Sequence, residues 1–144
     1  TTAGLAVITG TADALGLPDA SMDVVAGAWN AYRGVDPAEI AEADRVLRPG
    51  GRHVAIHDYG RDDLATLMPD RPELTSWSRV GGPFLRAGFK IRVVHCWISF
   101  ESLESAGGAL ERAFGERGVA LARELRRPRL SYNVAIYHRV RTAT

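Results

Sequence analysis

The chain has 144 residues, 46% hydrophobic and 24% charged, with a formal net charge of +1. That is one domain's length, and the proportions exclude a disordered or fibrous protein. No run nears the roughly 20 apolar residues that span a bilayer, no basic start and apolar stretch form an export signal, and arginines scattered among acids leave no nucleic-acid footprint.

Short apolar runs alternate with helical patterns, the sequence form of an α/β domain with a mostly parallel sheet. Leu5 to Thr9, β-branched at Val7, Ile8 and Thr9, reads as a first strand. Gly10 to Ser21 is a loop, and Met22 to Trp29 a buried second strand. Asp36-Pro37-Ala38-Glu39 combines an Asp N-cap, a Pro at the first helical position and a Glu three residues after the cap, so a capping box opens a helix there. Ile40, Ala43 and Leu47 share one face of it, and Pro49-Gly50-Gly51 supplies a left-handed glycine to end it. Val54 to Ile56 is the third strand. Asp62 caps a short helix. A weaker helical pattern from Glu73 to Ala87 is interrupted at Gly81-Gly82-Pro83. Phe89 to Ile98 is the fourth strand, Glu101 to Phe114 and Glu116 to Arg126 are helices parted by Gly115, and Tyr132 to Val140 is the last strand. With no linker, repeat or low-complexity tract, residues 1–144 read as a single domain.

The segment Gly10-Thr11-Ala12-Asp13-Ala14-Leu15-Gly16-Leu17-Pro18-Asp19-Ala20-Ser21-Met22-Asp23-Val24-Val25 resembles the middle of class I S-adenosylmethionine-dependent methyltransferases. Arg45-Val46-Leu47-Arg48-Pro49-Gly50-Gly51-Arg52 is similar to the helix-to-strand junction of their small-molecule, type 11-like branch. The two motifs stand in order, separated by a strand and a capped helix, and the resemblance extends over nearly the whole chain. It implies a Rossmann-like sheet with S-adenosylmethionine across the carboxyl ends of the strands, and methyl transfer to a small-molecule acceptor.

By the same resemblance, the loop from Gly10 to Leu17 lies near the adenine. Family members usually carry an acid at the position of Thr11, which here offers a hydroxyl, and the Ala12 amide meets a ring nitrogen. Asp13 either substitutes for the acid or bonds nearby backbone. Ala28, Trp29 and Asn30 face the methionine part, with Trp29 read equally as packing. His57, Asp58 and Tyr59 leave the third strand at its carboxyl end, where open α/β sheets place ligands. His57 or Tyr59 is the candidate proton acceptor, and the competing reading of His57 is a histidine that fills a strand end.

His95 and Cys96 are adjacent on a strand, point to opposite faces and read as structural. Cys96, the single cysteine, closes no internal disulfide, which fits a reducing cytoplasm. His53 and His138 have no partner nearby in sequence. Asp58 to Asp63 reads as capping acids, so no metal site is assigned.

No G-x-G-x-x-G turn occurs, nor an acid closing a preceding strand. The resemblance therefore implies a carboxyl-terminal part of a methyltransferase-like domain, with the first two strands of the family fold absent. In the family sheet those strands separate Leu5–Thr9 from Met22–Trp29 by roughly 14 Å, so Met22–Trp29 becomes an uncovered edge. A missing amino-terminal segment, a second copy of the chain or a rearranged Leu5–Thr9 strand is expected to cover it. The alternative reading is a non-catalytic methyltransferase-like module that acts in assembly through that edge.

Overall fold

The computed structural model describes residue 4 and residues 6–142. The chain runs β1 (Met22–Ala28), α1 (Pro37–Val46), β2 (Leu47–Asp58), α2 (Asp63–Leu67), α3 (Pro72–Trp77), α4 (Pro83–Arg86), β3 (Lys90–Ser99), α5 (Leu103–Phe114), α6 (Glu116–Glu124) and β4 (Arg129–Val140). Among the described residues the sheet has four strands, in the order β1-β2-β4-β3.

Among the described residues only β1 and β2 are parallel; β4 lies between β2 and β3 and is antiparallel to both. This corrects the expectation of a mostly parallel sheet, and the connection explains it. The helices α5 and α6 fold back on each other through Gly115, at φ 57°, so the chain returns to the end of the sheet where β3 finished. Gly118 makes the hairpin close: a Cβ there would lie 2.0 Å from the Leu110 carbonyl oxygen.

The strand expected at Leu5–Thr9 is a second correction. Leu5 lies outside the described residues, and Ala6–Thr9 has no strand pairing. Val7 and Ile8 are 91% and 57% exposed. An apolar run becomes a strand only where a neighbour offers a hydrogen-bond ladder, and among the described residues none reaches this segment.

Helix α1 begins as its sequence dictates, with Asp36 Oδ1 accepting from the amides of Ala38 and Glu39. The reciprocal half of the capping box does not form, and Glu39 Oε2 is buried without a partner among the described residues. The helix also ends earlier than expected: Leu47 is its extended C-cap and already the first residue of β2. Gly50, at φ 81°, therefore bends the strand rather than capping the helix. The register with β1 shifts across that bend, from Met22 opposite Leu47 to Val24 opposite Arg52.

One face of the sheet carries the core. His53, Ala55 and His57 of β2 and Ala135 and Tyr137 of β4 turn toward Ala43 and Val46 of α1 and the buried Trp77, Phe84 and Phe89. Phe84 stacks on Tyr137 with ring centroids 3.9 Å apart and meets Phe89 edge-on. Each such fully buried side chain contributes about 1.5–3 kcal/mol. A second cluster, Leu67, Leu110 and Leu130, seats the α5–α6 pair beside α2.

Candidate functional site

Parallel neighbours end on the same side, so the loops that leave β1 and β2 emerge next to each other. Ala28 pairs with Ile56, and the Trp29 amide donates to the Ile56 carbonyl at 2.8 Å. The resemblance places both the methionine-facing residues and the proton acceptors here, and the fold brings Ala28, Trp29 and Asn30 beside His57, Asp58 and Tyr59.

The loop after β1 is strained. Trp29, Tyr32 and Val35 have φ of 59°, 57° and 66°, left-handed values that cost a residue with a side chain about 1–3 kcal/mol. Several contacts hold them there. Trp29 Nε1 donates to Asp58 Oδ1 at 2.9 Å, and Arg33 Nη1 donates to the Trp29 carbonyl at 3.0 Å. Tyr32 is 2% exposed, and its ring lies over Gly27, where a Cβ would come within 2.6 Å of it. Strain so firmly over-determined is characteristic of functional loops.

Asp58 is the centre of this arrangement. The Tyr132 hydroxyl also donates to its Oδ1, at 2.9 Å, and Arg71 Nη1 stands 3.9 Å from its Oδ2. Burial, followed by the hydrogen bond to Asp58, pushes the Tyr132 phenol up to about 12. Near neutral pH it is a donor and not a base. Sequence reading noted Asp58 but missed Tyr132, which lies 74 residues away and carries no local signal.

His57 and Asp58 point to opposite faces of β2. His57 is 1% exposed, packed edge-on against Trp77 and near Phe84. Its Nε2 lies 3.3 Å from the Tyr32 carbonyl oxygen, and its Nδ1 has no partner among the described residues. Burial, as the largest cause, lowers its pKa and so favours the neutral ring. Tyr59 is half-buried, and its hydroxyl accepts from Arg61 Nη1 at 3.4 Å.

Thr11, Ala12 and Asp13 sit in a tight turn closed by two bonds, from the Thr11 amide to the Ala14 carbonyl and back, at 3.2 and 3.0 Å. Among the described residues, no group accepts from the Ala12 or Asp13 amide. The turn is tied to α1: the Leu15 amide donates to Glu42 Oε1 and Arg45 Nη2 donates to the Leu17 carbonyl, both at 2.8 Å. Arg45 also pairs with Asp19. Among the described residues no hydrogen bond joins Thr11–Asp13 to Trp29 or Asn30.

Among the described residues no group of three or more His, Cys, Asp or Glu is placed to hold a metal ion. No described helix is long and apolar enough to cross a membrane.

The architecture is that of methyltransferase structures, matched in part. No protein-family profile and no curated protein matches the chain. Among solved structures, it is similar to a Bacillus halodurans protein assigned as a methyltransferase, at 14% identity and a TM-score of 0.53 over 93% of this chain and 70% of that one. The YcgJ protein of Bacillus subtilis matches at 17% identity and a TM-score of 0.52, over 94% and 70%. A protein of Anaeromyxobacter dehalogenans assigned as a type II methyltransferase matches at 21% identity and 0.52, over 92% and 70%. At these identities the likeness establishes the fold alone.

Proposed function

We propose that this chain serves S-adenosylmethionine-dependent methyl transfer to a small-molecule acceptor in the cytoplasm, as the carboxyl-terminal part of a methyltransferase domain. The observation that carries the reading is the strained loop after β1, held by Asp58 at the carboxyl end of β2, within a methyltransferase-type sheet. Open α/β sheets bind their ligands outside those strand ends.

The residues present fit the cofactor in two respects. The Ala12 amide is without an acceptor among the described residues and can meet an adenine nitrogen, and the Trp29 ring is 47% exposed at the strand end. Bound S-adenosylmethionine supplies a methyl group on a positively charged sulfur. Thr11 offers a hydroxyl to the adenine amino group, with Asp13 beside it. Ala28, Trp29 and Asn30 flank the methionine part. Tyr59, which meets solvent, and His57, through the Nδ1 that stays free while its Nε2–H donates to the Tyr32 carbonyl, are the side chains assigned to take up a proton.

Isothermal titration with S-adenosylhomocysteine tests the reading. Binding weaker than micromolar is expected, because the chain holds no Gly-rich turn, and Trp29→Ala and Thr11→Ala should weaken it further. Silence both in this chain and in one extended at its amino end would overturn it.

A second reading rests on one observation. Strand β1 is a sheet edge, and Val24 on it is 53% exposed. In a non-catalytic assembly module that edge would pair with a second copy or another segment. Light scattering after size-exclusion chromatography separates the two, since the module requires a stable oligomer or complex.

A further inference from the structure

A cleft of about 420 Å³ opens between α2 and the start of α3, just beyond the carboxyl end of β2. Its lining is mixed: Ala65, Met68, Pro69 and Leu74 give apolar walls, Arg61 and Arg71 give positive charge, and Asp62 is the one acid among them. Gly60, at φ 74°, lets the walls approach, since a Cβ there would lie 2.8 Å from the Leu74 Cβ.

Both arginines are exposed and under-used. The Arg61 guanidinium lies over the Tyr59 ring, 5.3 Å from its centroid, and among the described residues its hydrogen bonds are long, 3.4 Å to the Tyr59 hydroxyl and 3.5 Å to the Thr75 carbonyl. Arg71 has one ion pair, with Asp58 at 3.9 Å, beyond hydrogen-bond reach. Each guanidinium carries five donors in a planar fork suited to a carboxylate. The acids nearby are engaged elsewhere. The Asp62 oxygens accept from the amides of Ala65 and Asn133, Asp63 accepts from the Ser131 amide, Glu73 pairs with Arg33, and Asp70 with Arg117. The cleft thus presents free donors above an apolar floor.

We propose that this cleft binds the carboxylate of a small, partly apolar anion through Arg61 and Arg71, and that such an anion is the methyl acceptor. The second clause rests on the methyl-transfer reading. Arg71 connects the cleft to Asp58, and through it to Trp29.

The test is an amide NMR titration of the protein, without cofactor, with benzoate and with benzamide, which shares the ring but not the charge. Benzoate should shift amides between residues 60 and 75 saturably and bind at least tenfold tighter than benzamide. The double variant Arg61→Gln/Arg71→Gln should lose at least tenfold in benzoate affinity. Arg71→Lys should lose less, since it keeps the charge without the fork. Equal affinity for both probes, shifts spread over other surface arginines, or an unchanged double variant would overturn the site. S-adenosylhomocysteine is titrated separately: binding of that ligand with no benzoate effect sinks the cleft alone. Benzoate binding without it, even in the amino-extended chain, leaves the anion site and removes its role as acceptor site.

Discussion

Trp29 and Asp58 stand at the ends of two parallel neighbouring strands, and the indole Nε1 of the first donates to the carboxylate of the second at 2.9 Å. The same oxygen accepts from Tyr132 on β4, so one carboxylate ties three strands together at the end of the sheet where the candidate site lies. Replacing Asp58 with Ala leaves an indole N–H and a phenol without their acceptor, and Trp29 then has less to hold it at a φ of 59°. The expected cost is about 1–3 kcal/mol of stability, read by urea denaturation. Because the β1 loop would relax, S-adenosylhomocysteine affinity should fall by about tenfold, the equivalent of 1.4 kcal/mol. Unchanged affinity in a folded Asp58→Ala variant would show that the Trp29 loop is only structural.

The core holds a second polar group under tension. His53 is fully buried, edge-on to Tyr32 at 4.3 Å and to Phe89 at 5.2 Å, and among the described residues neither of its ring nitrogens has a partner. Burial, helped by the nearby Arg139 and opposed by Asp44, lowers its pKa from 6.5 to about 4. Below pH 6.5 the unfolded chain takes up a proton that the folded one refuses, so stability falls as the pH drops from 6.5 to about 4 and is unaffected above that window. The loss approaches about 3 kcal/mol at the low end, and His57, lowered in the same direction, adds to it. Urea midpoints at pH 7.5 and pH 5 should therefore diverge in the natural chain and diverge less in His53→Leu. An equal divergence in both would remove His53 as the cause.

Local signals in the sequence were legible where the physics is local. Asp36 and Asp62 cap helices because their side chains reach amides two or three residues on. Gly115 parts two helices as its neighbours imply. What the sequence hides is set by partners far along the chain. The apolar, β-branched run Leu5–Thr9 is the same with or without a neighbouring strand, so it could not show that Val7 and Ile8 stay exposed. Pro49-Gly50-Gly51 fits a helix stop or a strand bend equally, and pairing with β1 decides for the bend. Position 57 is readable as a strand end, but which of His57 and Asp58 faces the core depends on where α3 and α4 pack. The donors around Asp58, drawn from the loop after β1, the N-cap of α3 and β4, become a site only in three dimensions.

The turn that carries Thr11, Ala12 and Asp13 keeps its place through Glu42. Its two carboxylate oxygens take Arg45 in a fork, at 2.7 and 2.8 Å, and one of them also takes the Leu15 amide. The Arg45 hydrogen bond, then the Leu15 amide, hold the Glu42 carboxyl down to about 2. A carboxyl lowered in this way stabilises the fold above its ordinary value of 4.5, and the contribution is lost as the pH falls toward about 2. Between those limits the loop should detach from α1 while the sheet persists, visible as faster hydrogen exchange at the Leu15 amide and earlier cleavage within residues 10–19. Glu42→Gln should reproduce the effect at neutral pH, since the amide keeps an acceptor for Leu15 but loses the charge that fixes Arg45. If Thr11 and Ala12 hold the adenine, the same variant binds S-adenosylhomocysteine severalfold more weakly although it touches no ligand atom. Equal Leu15 protection in Glu42→Gln and the natural chain would mean that the Ala12, Leu15 and Leu17 side chains, packed against the core, fix the loop without the clamp.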